Sequence, residues 1–353
     1  MRWVAGYEFD RSREARQGGG AVVGVKTSTT RNEDNQAENS DLFVQATAQV
    51  SEHVTVVGGL RYSTVRFTSD DHFLSDGNGS GTAAFETASP VLGLTYRASD
   101  SINLYANYGK GFETPTLAEV AYSGAGVPAF NTAVNASSSR HYEAGAKWAP
   151  SQWSRLDLAV FQIDSTDEIV VASSTGGNST FKNAPGTTRT GWELSGSTLM
   201  TSHVRASVAA SQVDARFSRT FTSGATTVAS GNKIPGIPQS FLFSELLWSS
   251  LTLDNRTKAS GLGSLAGIEF TQAGRLVAND ANTAAADGYA TLNVKASHGW
   301  ALGSGSLTGY VRIDNLTDQR YVGSVIVNQS ASQFYEPAPG RSSTLGLRLV
   351  VPL

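Results

Sequence analysis

Side chains able to carry out chemistry are few in this sequence, and they are widely spaced. The five histidines are His53, His72, His141, His203 and His298. No Gly-x-Ser-x-Gly elbow accompanies them, and the glycine tracts lack the lysine of a phosphate-binding loop. The absence of cysteine excludes a disulfide framework and any thiolate metal site. We therefore predict that the chain is not an enzyme, with no catalytic residue, no metal site and no cofactor.

The side chains left for binding are cations on the polar faces of predicted strands and aromatic residues in long loops. Such cations either bind a ligand or only solvate the polar face and hydrogen-bond to neighbouring segments. Single loop aromatics, likewise, either grip a ligand or have no binding role. The candidate binding residues are Arg61, Arg97 and Arg312 on strands, and Tyr122, Phe130, Phe334 and Tyr335 in loops.

The elements that position these residues are strands with one apolar face and one polar face. In the final run Leu345, Leu347 and Leu349 share one face, while Thr344 and Arg348 lie on the other. Strands that are buried on both sides read as continuous apolar runs, so alternation indicates a cylinder facing lipid or a shared core. Alternation and turn signals predict about 14 strands. They lie near Arg2–Asp10, Asn39–Val50, His53–Thr68, Phe85–Ala98, Ser101–Phe112, Ser138–Ala149, Trp153–Val170, Thr180–Met200, His203–Phe217, Gln239–Ser250, Gly263–Leu276, Gly288–His298, Gly305–Leu316 and Arg341–Leu353.

Composition favours the membrane cylinder. Charged residues make up 16% of the 353 residues, well below the usual quarter of a soluble domain. No apolar run is long enough for a membrane helix, and 36 glycines suit strands and loops. A net charge of −3 gives no basis for nucleic-acid binding. The N-terminal residues lack the apolar segment of a signal peptide.

The predicted connections alternate between short and long, which is typical of an outer-membrane barrel with its long loops outside the cell. A soluble sandwich or a β-solenoid has no reason to alternate in this way. The connection Leu251–Leu262 falls on the side of the short turns but is longer than they are, and it weakens the pattern there. The long connections are Arg11–Glu38, Ser69–Ala84, Glu113–Ser137, Val171–Ser179, Ser218–Pro238, Val277–Asp287 and Thr317–Gly340. We predict an all-β fold, an antiparallel transmembrane β-barrel.

Six segments, in order along the chain, resemble the β-barrel of TonB-dependent outer-membrane receptors, especially those of the ferric-siderophore class. Each one carries a short motif that this family places at a strand or at the end of a long loop. They are the strand and loop 103–119 with Gly111-Phe112 and Pro115-Thr116, the strand start 183–195 with Gly191-x-Glu193-Leu194, Ile234-Pro-Gly-Ile-Pro-Gln239, Asp287-Gly-Tyr-Ala-Thr-Leu-Asn293, Val311-Arg-Ile-Asp-Asn-Leu-Thr-Asp-Gln-Arg-Tyr321 and Glu336-Pro-Ala-Pro-Gly-Arg341. Residues before 103 fit by alternation only.

The resemblance implies a barrel of 22 strands, of which about 14 are present here. It also implies an N-terminal plug domain and a periplasmic box that pairs with TonB, and neither is visible in the sequence. We therefore expect residues 1–353 to be the C-terminal portion of such a barrel, without plug domain or signal peptide. A truncated gene, a partial reading frame or a trimmed chain would each explain this.

The function implied by the resemblance is TonB-dependent uptake of a ferric siderophore or similar nutrient across the outer membrane of a Gram-negative cell. The expected partners are an iron chelate, outer-membrane lipid and, only through the missing plug region, TonB. The arginines on the polar faces would attract an anionic chelate, and the loop aromatics would contact it from above.

Two alternatives from other classes stay open at the level of sequence. One is a complete passive porin of about 14 strands that closes on itself, since an even strand number permits closure. The other is a soluble or surface-attached β-rich adhesin.

Overall fold

The computed structural model describes residues 1–120, 130–224, 226–253 and 262–351. Within these ranges the chain forms strands and no helix. The strands, numbered along the chain, are β1 (Arg2–Gly18), β2 (Ala21–Val22), β3 (Val25–Lys26), β4 (Arg31–Gln49), β5 (Val54–Asp71), β6 (Gly81–Arg97), β7 (Ile102–Glu113), β8 (Ser137–Ser151), β9 (Ser154–Thr166), β10 (Glu168–Thr175), β11 (Asn178–Ala184), β12 (Thr187–Thr201), β13 (Val204–Phe217), β14 (Phe221–Ser223), β15 (Thr226–Val228), β16 (Ser240–Ser249), β17 (Gly263–Ala273), β18 (Leu276–Val277), β19 (Ala285–Ala286), β20 (Tyr289–Leu302), β21 (Gly305–Asp314), β22 (Val322–Val325), β23 (Tyr335–Pro337) and β24 (Ser342–Val350).

The long strands join one antiparallel sheet of 14 strands in the order β1-β4-β5-β6-β7-β8-β9-β12-β13-β16-β17-β20-β21-β24. Each strand pairs with the next long strand along the chain, as in an up-and-down barrel. The predicted strand number and the antiparallel all-β fold are therefore confirmed. The remaining strands form small hairpins inside the long connections: β2–β3, β10–β11, β14–β15, β18–β19 and β22–β23.

The sheet has an apolar face and a polar face, and cross-strand register keeps them separate. Tyr7, Leu42 and Tyr62 lie opposite one another on neighbouring strands, and all three side chains are exposed on the apolar face. One residue further along, Glu8 and Asp41 pair on the polar face. A register slip of one residue would exchange the two faces, so the hydrophobic pattern fixes the pairing.

Two predicted strands and one predicted loop differ from the structure. The runs 153–170 and 180–200 were each predicted to be one strand, but each is divided between a strand of the large sheet and a strand of the hairpin β10–β11. Asp167 marks one break because its φ is +55°. Most of the predicted loop 11–38 is instead a continuation of β1 and β4, in which both faces are polar and alternation gives no signal.

The first and last strands of the sheet leave two free edges in the part of the chain that the structure describes. No ladder joins Arg2–Gly18 to Ser342–Val350. A porin closed by its own 14 strands requires that ladder, because unpaired backbone groups are not tolerated in hydrocarbon. The described sheet is therefore an open segment of a barrel and does not support the self-closed alternative.

Strand length changes systematically across the sheet. β4 has 19 residues and β5 has 18, whereas β21 has 10 and β24 has 9. A strand needs roughly 9–11 residues to cross a bilayer, so the first strands extend well beyond that length on the side of the long connections. No helix among the described residues is long and apolar enough to cross a membrane.

Large aromatic rings on the polar face lie over glycines of the adjacent strand. A Cβ atom on Gly346 would lie 2.2 Å from Tyr310 Cζ, and one on Gly6 would lie 2.6 Å from Phe43 Cζ. Each ring therefore fills the space that the missing side chain leaves. Such ring-over-glycine pairs fix register and allow the sheet to curve.

Candidate functional site

Arg61, a predicted binding residue, lies in an ion cluster on the polar face of β1, β4 and β5. Its Nη2 donates to Glu8 Oε2 at 2.7 Å and to Asp41 Oδ2 at 2.5 Å. Asp41 is almost completely buried and also accepts a hydrogen bond from Asn39 Nδ2. The positive charge of Arg61 is therefore matched by two carboxylates within the protein itself.

A cavity of about 580 Å³ adjoins this cluster on the side of the long connections. Its wall combines the Arg61–Asp41 pair with a second pair, in which Arg11 Nη2 lies 2.8 Å from Glu38 Oε1. The rings of Phe67 and Phe112 also line it. The cavity thus offers hydrogen-bonding groups and an aromatic surface, but no excess of positive charge.

Arg312, a second predicted residue, belongs to a separate ion network on β16, β17, β20 and β21. Strand pairing sets Glu245 directly opposite Glu269, an arrangement that is unfavourable without a cation between them. Lys295 Nζ supplies it, 2.5 Å from Glu245 Oε1 and 2.6 Å from Glu269 Oε1. Arg312 Nη2 lies 2.8 Å from Glu269 Oε2, and its Nε lies 2.8 Å from Asp314 Oδ1. This network ties four strands together.

Arg97 lies at the opposite end of the sheet from the long connections, beside a short turn. Its Nη2 lies 2.6 Å from Asp100 Oδ1, and both side chains are exposed. The structure therefore does not bring the three predicted arginines into one site. Two lie in neutralised clusters on the polar face, and the third lies at the short-turn rim.

The predicted aromatic residues lie in the long connections but do not form one cluster. Phe334 is buried beside Tyr335, with 6.2 Å between the ring centroids. Tyr335 is exposed, and its hydroxyl donates to the carbonyl oxygen of Ala285 at 3.2 Å. Phe130 covers Gly81 in a different part of the rim. Tyr122 lies outside the described residues.

Four long connections pack into one unit, here called the outer-loop assembly: residues 167–186, 218–239, 274–288 and 315–341. Asn328 joins three of its members. Its Nδ2 donates to Val171 O at 2.7 Å, and its Oδ1 accepts from Asp280 N at 3.0 Å. Asn232 Nδ2 donates to Asp280 O at 2.9 Å and thereby adds the fourth.

An ion pair and a small apolar cluster complete the outer-loop assembly. Lys182 Nζ lies 3.1 Å from Asp280 Oδ2, with only 19% and 5% of the two side chains exposed. The same ammonium group lies 4.9 Å from the ring of Phe221. Beneath it, Phe217 and Val228 are fully buried and form part of the hydrophobic core of the described residues. The assembly is therefore a packed structure rather than a set of independent loops.

Motif residues at the two ends of the last long connection contact each other. Asn315 Oδ1 accepts from Gln319 N at 2.9 Å, which closes a turn in which Asn315 has a φ of +51°. Asp318 Oδ1 then accepts from Arg341 N at 2.8 Å. The ring of Tyr321 stacks on Tyr289 at 4.0 Å between centroids. Burial, with added repulsion from Tyr289 and Asp314, raises the pKa of the Tyr321 phenol.

A second motif forms a helical turn just after β7. Thr116 N donates to Glu119 Oε2 at 2.7 Å, and Glu119 N donates to Thr116 Oγ1 at 3.3 Å. This reciprocal pair is a capping box. Pro115, directly before it, is fully buried. Pro115 and Thr116 therefore shape the start of the long connection, and this role does not require any contact with a ligand.

Several residues that organise these sites were not singled out from the sequence. Glu269, Asp41 and Asp280 are the buried carboxylates at the centres of the three ion clusters. For Glu269 and Asp41 the available signal was a carboxylate on the polar side of a strand with apolar residues; Asp280 lies in a connection, where no such signal exists. Within the described ranges, no group of three or more His, Asp or Glu side chains is arranged to hold a metal ion.

Comparison with known proteins agrees with this architecture. The model of the family described as "TonB dependent receptor-like, beta-barrel" matches residues 1–316. The ferric yersiniabactin uptake receptor of Yersinia pestis superposes with a TM-score of 0.73 at 18% identity, over 98% of this chain and 50% of that one. The ferric preacinetobactin receptor of Acinetobacter baumannii superposes with a TM-score of 0.71 at 18% identity, over 98% of this chain and 50% of that one. A copper transporter superposes with a TM-score of 0.73 at 16% identity, over 98% of this chain and 53% of that one. The chain thus spans about half the length of these solved structures.

Proposed function

Because the chain belongs to the TonB-dependent receptor β-barrel family, we propose that it is the C-terminal part of a receptor that imports a metal chelate across the outer membrane. The nutrient is a ferric siderophore or a similar chelate, and import depends on TonB. The family consists of transporters and receptors rather than enzymes. The observation that carries the proposal is the family match over residues 1–316.

Two features of the molecule support an outer-membrane location. The sheet exposes an apolar face that includes Leu92, Leu94, Leu158, Val160 and Ile268. Its connections are short on one side and long on the other, as in barrels whose long loops lie outside the cell. The apolar face would then contact outer-membrane lipid, and the polar face would line the interior.

Contact with TonB would run through the plug domain of such a receptor. The polar face of the described strands would surround the plug, and the outer-loop assembly would lie above it. The cations Arg61 and Arg312 are neutralised by carboxylates. A chelate would therefore be held here by hydrogen bonds and aromatic contacts, with Phe334 and Tyr335 near its entrance, rather than by an uncompensated positive surface.

Uptake of iron tests the proposal. The complete coding sequence from which this chain derives would be expressed in Gram-negative cells that lack their own siderophore receptors. Uptake of ⁵⁵Fe carried by citrate, catecholate and hydroxamate chelates would be compared in strains with and without TonB. We expect accumulation of at least one chelate only when TonB is present. Equal passage of all three, with or without TonB, would instead support a passive pore.

The adhesin alternative makes the opposite prediction about solubility. An adhesin domain would enter the aqueous phase after extraction with detergent, whereas a barrel segment stays with the detergent because its apolar face needs an amphiphile. Partition of the purified chain between the two phases separates these functions.

A further inference from the structure

The apolar face contains a trough of about 690 Å³ near the short turns. Its floor lies on β12 and β13, where Gly196, Thr198 and Ala206 present small side chains. Trp148 forms one wall, and Leu246 on β16 is a prominent part of the other. The trough exists because small residues on two central strands lie between larger residues on the strands to either side.

The polar groups of the lining on the apolar face are the hydroxyls of Ser154, Thr198 and Ser244, and none of them is charged. The hydroxyl groups of Ser154 and Thr198 hydrogen-bond to each other at 2.6 Å. The charged residues next to the trough, Arg155 and Glu245, belong to the polar face, where they bind Asp157 and Lys295. Strand ladders satisfy the backbone of the floor. A hydrocarbon surface matches such a lining best, because no charged group on this face needs a partner.

The position of the trough across the membrane identifies its occupant. Thr198 lies three residues before the end of β12 and Ala206 two residues after the start of β13. If the long connections face outward, these positions lie in the inner leaflet of the membrane. A hollow in that belt loses dispersion contacts unless it is filled, and the medium that surrounds it is made of phospholipid chains.

We propose that this trough is an ordered binding site for one acyl chain of an inner-leaflet phospholipid. The inference rests on the membrane placement in the proposed function and adds a specific lipid site to it. Gly196 is a positioning residue for the site: a Cβ there would lie 2.8 Å from Leu156 Cδ1 and would push that side chain across the floor. One acyl chain stays bound at this place, in contrast to the exchanging lipid elsewhere on the apolar face, because the trough encloses it from below and from both sides.

Native mass spectrometry of the complete receptor that contains this chain, purified in detergent and supplied with dipalmitoyl phosphatidylethanolamine, tests the site. We expect one lipid to remain bound to each wild-type chain as detergent is removed. Ala206→Trp and Ser244→Phe fill the trough from the floor and from one wall. Each should lower the retained fraction about tenfold, the effect of losing contacts equivalent to roughly two methylene groups.

Ala144→Trp is the matched control, because Ala144 lies on the apolar face opposite Val160 but outside the trough. It should retain lipid as the wild type does. The proposal is overturned if folded wild-type chain keeps no lipid, if all variants keep it equally, or if a dimer of chains appears that Ala206→Trp abolishes. Cross-linking of a diazirine-bearing acyl chain to wild-type protein gives an independent readout. It should label the 196–208 region above the rest of the apolar face, and even labelling contradicts the site.

Failure of the membrane placement is a separate result. A chain that remains in solution without detergent would disprove the proposed function. A chain that requires detergent but binds no ordered lipid would disprove only the lipid site.

Discussion

Asp318 Oδ1 accepts a hydrogen bond from the backbone N–H of Arg341 at 2.8 Å, joining the two ends of the last long connection. The contact brings the segments Asn315–Asp318 and Pro339–Arg341 together in space. The first follows β21 and the second precedes β24, so their contact sets the span of the connection between neighbouring strands. These motif residues shape the loop.

Removing this contact should loosen the connection. We expect Asp318→Ala to lower the free energy of unfolding by about 1–2 kcal/mol, the usual effect of losing a carboxylate bond to a backbone N–H. Cleavage by protease within residues 322–336 should become faster. Urea unfolding and limited proteolysis measure the two effects. Asp76→Ala, in a different long connection, is the control, and equal effects of both substitutions would contradict the role.

The pair formed by Lys182 and Asp280 should dominate the stability of the outer-loop assembly. Lys182→Met leaves the carboxylate of Asp280 buried without its cation, at a cost of about 3 kcal/mol in the free energy of local opening. Hydrogen exchange of residues 171–184 and 278–286 measures it. Asp280→Asn in the same background removes the uncompensated charge and should restore part of the protection. No restoration would indicate that packing by the lysine side chain is what matters.

Glu269 should contribute more than Asp314 to the network around Arg312. Glu269 is nearly buried, while its partners are about one-third exposed: Lys295 is 36% exposed and Arg312 34%. Solvent screening reduces the cost of Glu269→Gln to about 1–2 kcal/mol. Asp314→Asn should cost less than about 1 kcal/mol because that carboxylate is itself exposed. Urea unfolding of both variants decides, and an equal or reversed order contradicts this account.

The ring of Tyr310 over Gly346 predicts a strong dependence between the two positions. Gly346→Ala should destabilise the sheet by about 1–3 kcal/mol, since the new Cβ overlaps the ring. With Tyr310→Ala already present, the same change should be neutral or slightly stabilising, because alanine loses less backbone entropy than glycine. A double-mutant cycle measures the coupling, and additive effects would show that the ring does not depend on the glycine.

The lack of cysteine makes orientation in the membrane directly testable. Ser332→Cys lies in the last long connection and Ser304→Cys in a short turn. On intact cells that express the receptor, a membrane-impermeant maleimide should label only the first. Permeabilising the outer membrane should expose the second. The reverse pattern would place the long connections inside the cell envelope.

The strands were predictable from the sequence because their signal is local. Alternation over a few residues identifies each strand, as at Ala290, Leu292 and Val294, and short turns separate the strands. Prediction was wrong where the cause was a single residue: Asp167 turns the chain with φ +55° between the apolar positions of β9 and those of β10. It was wrong again over residues 11–18 and 31–38, where strands continue without an apolar face.

The site was less predictable because its contacts join distant parts of the chain. Asn328 and Val171 are 157 residues apart, yet they share a hydrogen bond. Local spacing identified Arg61 and Arg312 as polar-face cations, but their carboxylate partners depend on strand register and curvature. Whether Phe334, Tyr335, Phe130 and the arginines contact a ligand stays a prediction, and Tyr122 lies outside the described residues.

The unequal heights of the strands affect how this rim can vary. On one side of the sheet, β1, β4 and β5 are long strands held by continuous hydrogen-bonded ladders. On the other side the strands are shorter, and separate hairpins form in the long connections. A residue inserted into one of the long strands would exchange the apolar and polar faces along the rest of that strand. A residue added to a hairpin in a connection would only lengthen the hairpin. Insertions in the connections should therefore be tolerated best on the side of the sheet that carries the separate hairpins.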